Sequence, residues 1–416
     1  MIPVHAEAGK NSKSVVGKNS LFRVTGFSAA STSAGIKKGS AKQDLGLIFS
    51  EVPAVASGVF TRNLVKAAPV LLDMERMAAG IGRAILVNSG NANACTGALG
   101  LKDAQKISRR LSQKLAIPDD QVFLASTGVI GQRLPLSRIS TAIPGLIESL
   151  TPDGLSAVAE AIMTTDTFPK ILSKELVLGK KKVRIVVMAK GAGMIQPNMA
   201  TMLCFVLTDA AISPALLDRM LKKAVERSFN RITVDGDTST NDMVLVLANG
   251  LAGNTLLDKE SSPGARSFGR ALEALLIILA KMIIRDGEGA TKALTLLLEG
   301  ARNKEEARTL AFTVANSPLV KTALFGQDAN WGRIMAALGR AGVDFDPNRV
   351  DIFFDTVQVV KNGIGLGAEA ENRAGEVLRK PTLTLRIHLH QGKSRTSVYT
   401  CDLSLDYVRI NADYRT

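Results

Sequence analysis

A threonine that follows a turn-rich segment and precedes an apolar strand can attack its own backbone. Thr201 occupies such a position in the run Lys190-Gly191-Ala192-Gly193-Met194-Ile195-Gln196-Pro197-Asn198-Met199-Ala200-Thr201-Met202-Leu203-Cys204-Phe205. Glycine opens backbone conformations closed to other residues, and proline restricts both its own φ and the residue before it. A loop of this composition can therefore hold one peptide bond, Ala200-Thr201, in an unusual geometry. Attack of the Thr201 hydroxyl on the Ala200 carbonyl, an N-to-O acyl shift and hydrolysis would leave a chain beginning at Thr201. That product carries its own base: an α-amine titrates at roughly 7.7–8.0 and can take the hydroxyl proton of the residue that bears it. An ordinary hairpin accounts for the same residues, and loop composition alone favours it.

Histidine-based nucleophiles are poorly supplied. The chain has three histidines. His5 falls in an N-terminal stretch expected to be loose. His388 and His390 lie in Thr382-Leu383-Thr384-Leu385-Arg386-Ile387-His388-Leu389-His390, where every apolar residue is odd-numbered, so both share a polar sheet face with Thr384 and Arg386. No further ligands can be placed beside them, and no metal is expected. Cys204 lies near Thr201 but inside an apolar strand with no evident base, which suits packing better than catalysis. Cys95, Cys204 and Cys401 form an odd set without paired spacing, in keeping with a reducing, cytoplasmic setting.

The elements that must position this chemistry are readable from periodicity. Val183 to Met188 and Leu203 to Leu207 suit two strands flanking the loop. Val122-Phe123-Leu124 reads as a buried strand ending at Ala125-Ser126, so that Thr127-Gly128 begins a loop. A long apolar helix over 271–284 places Glu288 in a C-terminal loop between Gly287 and Gly289. Amphipathic helices are expected at about 102–116, 155–164, 214–228, 265–284, 304–315 and 331–338. From about Val350 the chain reads as mainly strand, with a hairpin around Gln391-Gly392-Lys393 and a turn at Gly363 to Gly367. Lys180-Lys181-Lys182 reads as a solvated hairpin turn. Strands interleaved with helices indicate a layered α/β protein.

Composition excludes several classes. The 416 residues are 46% hydrophobic and 22% charged, enough for a large core. The longest apolar helix is interrupted by Lys281 and is too short to span a bilayer, and no secretory signal is seen at the N-terminus. Fifty-two Lys and Arg against 38 Asp and Glu give a net charge of +14, which admits nucleic-acid binding. Against this, aromatics are only 4%, which leaves few stacking platforms, and the basic residues are spread along the chain. The glycine-rich Asn88 to Gly97 stretch has neither the P-loop pattern nor a dinucleotide fingerprint, so no nucleotide site is expected.

The Lys190 to Thr201 segment resembles the cleavage motif of the ornithine acetyltransferase family, the bifunctional glutamate N-acetyltransferases of arginine biosynthesis. The resemblance runs along nearly the whole chain. It includes Ala34-Gly35-Ile36-Lys37, Gly58 to Asn63, Asn88 to Gly97, Ser126 to Gly131, Met163 to Thr167, Val234 to Asp242, Asp286 to Lys292 and Asp328 to Arg333, in order. It implies an α-β-β-α sandwich with the active site at the α/β junction, and a precursor cut into an α chain of residues 1–200 and a β chain of residues 201–416, assembled as α2β2. It implies an acetyltransferase in which Thr201 accepts the acetyl group of N2-acetylornithine and passes it to glutamate. Thr127 and Gly128 match the oxyanion pair, and Thr167, Lys190, Thr201, Glu288, Asn411 and Thr416 match the substrate contacts. Lys190 suits the ligand's carboxylate and Glu288 its amine. Arg415 departs from the family's tail, which has a small hydroxyl residue there. No cofactor is implied, and acetyl-CoA would enter only as an additional acetyl donor, a point the residues leave open. Two other readings compete: an amidohydrolase or aminopeptidase using the same N-terminal threonine, and an uncleaved basic RNA-binding protein.

Overall fold

The structure is a computed structural model that describes residues 5–6, 19–37, 42–196 and 202–413. In chain order its strands are β1 (His5–Ala6), β2 (Phe27–Thr32), β3 (Leu45–Phe60), β4 (Ile81–Asn91), β5 (Val122–Val129), β6 (Lys170–Leu178), β7 (Lys181–Lys190), β8 (Leu203–Thr208), β9 (Ile232–Thr233), β10 (Met243–Ala248), β11 (Ala293–Ala301), β12 (Asp351–Phe354), β13 (Val357–Lys361), β14 (Ile364–Gly365), β15 (Thr382–His388) and β16 (Ser394–Cys401). The helices are α1 (Ala68–Arg76), α2 (Gly97–Leu115), α3 (Leu136–Glu148), α4 (Leu155–Ala161), α5 (Pro214–Arg227), α6 (Pro263–Arg285), α7 (Lys304–Ala315), α8 (Pro318–Phe325), α9 (Trp331–Gly339), α10 (Ala368–Leu378) and α11 (Leu405–Asp413).

The larger sheet runs β1-β6-β7-β8-β10-β3-β4-β5, with β2 added beside β3. Strand β3 is the hinge of this arrangement. Its pairing with β4 loses register between Phe49 and Ala54, where Pro53 offers no N–H to the ladder. Side-chain alternation then divides the sheet into layers. On β7, Ile185 and Val187 pack with α5 and α6, whereas Val186 and Met188 face an inner core that also holds Ile48, Ile85, Val87 and Phe123 from β3, β4 and β5. The outer face of β3, β4 and β5 is covered by Ile107 and Leu111 of α2 and Ile139 and Ile143 of α3. The order is thus helices, half-sheet, half-sheet, helices, the expected α-β-β-α layering. Helix α6 is started by Ser262, whose hydroxyl accepts from the Ala265 N–H, with Pro263 at its first position. It ends at Asp286, one turn short of the pocket.

The second sheet, β14-β13-β12-β15-β11-β16-β9, buries one face against α7, α9 and α10. Leu383, Leu385, Ile387 and Leu389 point into that core while Thr384, Arg386, His388 and His390 do not, as alternation requires. The C-terminal third is strand-rich, as expected, and also carries α10 and α11, while one expectation for this region needs correction. The segment around Gln391-Gly392-Lys393 is not a hairpin turn: β15 and β16 lie on opposite sides of β11, parallel and antiparallel to it. Their connection passes over the end of β11, where the Leu389 N–H donates to the Glu299 carbonyl and the Gln391 N–H to that of Gly300. Elsewhere the turn between β6 and β7 is Gly179-Lys180, so Lys181 and Lys182 already belong to β7 and only Lys180 keeps the expected turn position, while Gly363 turns β13 into β14.

Candidate active site

Strand β7 pairs antiparallel with β8, with Lys190 opposite Leu203, so the segment carrying the Ala200-Thr201 bond joins adjacent strands. Ala200 and Thr201 themselves lie outside the described residues, as does Thr416. Both flanks of the bond are pinned. On one side the Gly191 N–H donates to Asp166 at 2.7 Å, and the Met194 and Ile195 N–H groups both donate to the Asp235 carboxylate at 2.6 and 2.8 Å. This shared acceptor offsets the left-handed conformation of Met194, φ 56°. On the other side, Met202 accepts from the Met243 N–H at 3.0 Å.

These flanks open into a pocket lined by Lys190, Gly191, Gly193, Met194, Met202 and Leu203 from the loop and its strands. Thr127, Gly128 and Ile130 from the end of β5, Thr164 and Thr165, Ser239 to Asp242, Glu288 and Asn411 complete it. Thr127 and Gly128 are thus brought to the pocket, but within the last three residues of β5 rather than in a loop beyond it. Parallel pairing with Ser89-Gly90 on β4 extends the strand through them, with an irregular register at Gly90 and Asn91. Gly128 sits at φ 131°, and a Cβ there would fall 2.3 Å from the Gly90 carbonyl carbon. Only glycine fits so close to a neighbouring backbone. The Asn241 amide donates to the carbonyls of Ala92 and Ser126, fixing the segment just before Thr127. The asparagines of the Asn88 to Gly97 stretch are used similarly: Asn91 bonds the Gln132 and Arg133 carbonyls and Asn93 the Gly100 carbonyl, so they brace an irregular turn.

The two charged residues expected to select substrate stand at the pocket as well. Lys190 donates to the Thr127 hydroxyl at 3.1 Å, leaving that hydroxyl's hydrogen able to point elsewhere. Glu288 follows α6 in the Gly287-Glu288-Gly289 loop and is only 8% exposed. Its N–H donates to the Ala192 carbonyl, and its carboxylate accepts from the Asn411 amide of α11 at 2.8 Å. Gly193 gives this carboxylate its room, since a Cβ there would lie 2.2 Å from a Glu288 carboxylate oxygen and would displace that side chain. Thr167 does not line the pocket. Its N–H and hydroxyl both donate to Asp286, which places it one layer behind Glu288.

Burial and neighbouring charge set the electrostatics. Lys190 keeps some accessible surface, yet burial of its ammonium pushes its pKa below the usual lysine value, with Asp166 opposing and Lys170 reinforcing the shift. Burial would raise the Asp166 carboxyl, but the Lys170 and Lys190 ammonium groups override it and hold the group well below the ordinary carboxylate range. Asp242, on the pocket wall, is pushed well above that range by burial, against hydrogen bonds from Ser239 and the charge of Lys190. Burial likewise pushes the Cys204 thiol up, which suits packing and not nucleophilic attack. Asp166, Lys170, Asp235, Asp242 and Asp286 had no assigned roles in the sequence reading. Four of them fall within motifs quoted there, and that placement was the one available signal. His388 and His390 sit 3.9 Å apart on the second sheet, and among the described residues no cluster of three or more metal-ligating side chains occurs.

The ArgJ family matches the chain over residues 28–416. The arginine biosynthesis bifunctional protein ArgJ of Geobacter sulfurreducens is 52% identical over 395 residues, covering 95% of this chain and 100% of that protein. The protein of the same name from Desulfotalea psychrophila is 51% identical over 395 residues, with the same coverage of both. A solved structure of ArgJ from Bacillus halodurans is 42% identical, covering 50% of this chain and 98% of its own, with a TM-score of 0.48. With family and relatives matching from near one end of the chain to the other, this protein belongs to the ArgJ family.

Proposed function

We propose that the chain is an acetyltransferase of arginine biosynthesis that moves the acetyl group of N2-acetylornithine to glutamate through an ester on Thr201. The observation that carries this reading is the pocket beside the Ala200-Thr201 loop. Lys190 and Glu288 both line it, together with the close-packed Thr127-Gly128 backbone. An amino acid acylated on its α-nitrogen, with a carboxylate and a terminal amine, complements that pair of charges.

Self-cleavage comes first: the Thr201 hydroxyl attacks the Ala200 carbonyl, the amide C–N bond breaks as an ester forms, and water hydrolyses the ester. Residues 1–200 and 201–416 then form the α and β chains of an α2β2 assembly. In transfer, the freed α-amine of Thr201 takes the hydroxyl proton as the oxygen adds to the acetyl carbonyl. Thr127 and Gly128 donate to the oxyanion, a contribution of about 3 kcal/mol per donor in acyl transfer. Collapse expels ornithine, whose α-nitrogen receives the proton. The glutamate α-amine then attacks the acetyl-Thr201 ester, releasing N-acetylglutamate and restoring the hydroxyl. Lys190 binds the α-carboxylate of each amino acid, Glu288 and Asn411 meet the side-chain end, and Thr167 supports Glu288 through Asp286. Thr416 joins the side-chain end from the C-terminal tail. The chemistry calls for no metal or organic cofactor, acetyl-CoA serving at most as a second donor. Among the described residues no helix is long and apolar enough to cross a membrane.

The test is partition of the acetyl group. Acetylornithine with glutamate is expected to yield acetylglutamate faster than free acetate; equal acetate release with or without glutamate would make the chain an amidohydrolase. Lys190 adds a pH signature. Its ammonium form binds the carboxylate and its pKa is depressed, so the KM for acetylornithine is expected to rise with pH earlier than an ordinary lysine would dictate. The non-titrating Lys190→Arg should flatten that rise, and an unchanged profile would exclude Lys190 as the carboxylate's partner.

A further inference from the structure

Behind the pocket, Lys170 on β6 carries a completely buried ammonium between two carboxylates, Asp166 at 2.7 Å and Asp286, both also buried. Each carboxylate holds a different wall of the pocket. Asp166 also accepts from the Gly191 N–H at 2.7 Å, next to Lys190, and from the Thr164 N–H at 3.0 Å, a pocket residue. Asp286 accepts from the N–H and hydroxyl of Thr167 and stands two residues before Glu288. The ammonium is therefore an ionic link between the segment that presents Lys190 and the loop that presents Glu288, beside the single backbone bond from the Glu288 N–H to the Ala192 carbonyl. Packing alone would not need it, since an ion pair this deep loses its hydration and an apolar trio of similar volume would serve stability as well. What the triad adds over an apolar trio is direction: charged hydrogen bonds fix both walls at one separation.

Resting on the acetyltransferase reading above, we infer that Lys170 is a positioning residue that sets the distance between the carboxylate-binding and amine-binding ends of the pocket, and so the length of amino acid the enzyme accepts. It touches no substrate. Thr127-Gly128 is held by β4 and by Lys190, and Asp166 can keep its bond to the Gly191 N–H without the ammonium, so self-cleavage and acyl chemistry depend on Lys170 less than substrate fit does.

The experiment compares the full chain with Lys170→Met and with Lys170→Met/Asp286→Asn. The single variant leaves two buried carboxylates, Asp166 and Asp286, without their ammonium and can fail to fold for that reason alone. The double variant restores the net charge of the cluster, Asp166 keeping the Thr164 and Gly191 N–H groups and the nearby Lys190 charge, and its asparagine can still accept from Thr167, but the ionic tether is gone. The double variant is expected to self-cleave and unfold near the wild-type temperature, while its KM for acetylornithine rises tenfold or more and kcat falls far less. It is also expected to lose discrimination against the acetylated homologue one methylene shorter. A double variant with wild-type KM and length preference would overturn the inference, leaving Lys170 only a charge-balancing role. Failure of the wild-type chain to transfer acetyl at all would instead overturn the acetyltransferase reading, so the two failures are distinguishable.

Discussion

Thr201→Ala is expected to leave one chain of 44.1 kDa on denaturing electrophoresis, where the wild type is expected to give two bands of about half that mass, and to lower acetyl transfer by about 10⁴-fold or more. In the proposed mechanism both losses have one cause, since the same hydroxyl opens the Ala200-Thr201 bond and carries the acetyl group. No second group is placed to replace it. Among the described residues no histidine lines the pocket, His388 and His390 lie on the solvated face of the other sheet, and the Cys204 thiol is buried and held protonated. Thr201→Ser should retain cleavage and part of the transfer activity, because it keeps the hydroxyl. Cleavage of Thr201→Ala at the same bond would show that another group makes the attack.

Glu288→Gln is expected to raise the KM for acetylornithine about 10- to 100-fold with little change in kcat, the loss of one charge-assisted hydrogen bond made equally in ground and transition states. Glutamine keeps the shape, the backbone bond to Ala192 and a side-chain acceptor for Asn411, so the pocket should hold. The acceptor supplies an internal control. Glutamate brings a carboxylate to the end where ornithine brings an amine, so removing the Glu288 charge should ease its binding rather than weaken it. Acetylnorvaline, which lacks the terminal amine, should be discriminated against by the wild type and much less by the variant. Parallel increases for both substrates would mean that Glu288 only supports the pocket wall.

Much of this site was legible locally. Continuous apolar runs flagged β7 and β8, and the loop between them stood out by its glycines and proline. Glu288 stood out because two glycines and a helix end leave it no solvated helical face. Thr127-Gly128 was misplaced in a loop because composition there is turn-like, whereas pairing with Ser89-Gly90, far along the chain, keeps it in β5. The false hairpin at Gln391 has the same origin: alternation in β15 and β16 is correct, but nothing in it reveals that β11 lies between them. Helix α3 was missed because Pro144 and Gly145 interrupt its pattern, and α11 because it has no buried stripe at all. Least legible was the Asp166-Lys170-Asp286 cluster. Asp166 and Lys170 look like an ordinary surface pair four residues apart, and the second carboxylate is 116 residues away from the lysine. Only the stacking of α6 on β6 and β7 turns those charges inward.

The claim on which the rest depends is that Thr201 becomes an N-terminal, acetyl-bearing residue. Intact mass spectrometry of the purified protein, mixed briefly with acetylornithine in the absence of glutamate, addresses it directly. The fragment beginning at Thr201 should gain the mass of one acetyl group, located on that residue by peptide mapping, and should lose it when glutamate is added as acetylglutamate appears. An uncleaved chain, or a cleaved one that forms acetylglutamate without ever carrying acetyl on Thr201, would contradict the mechanism.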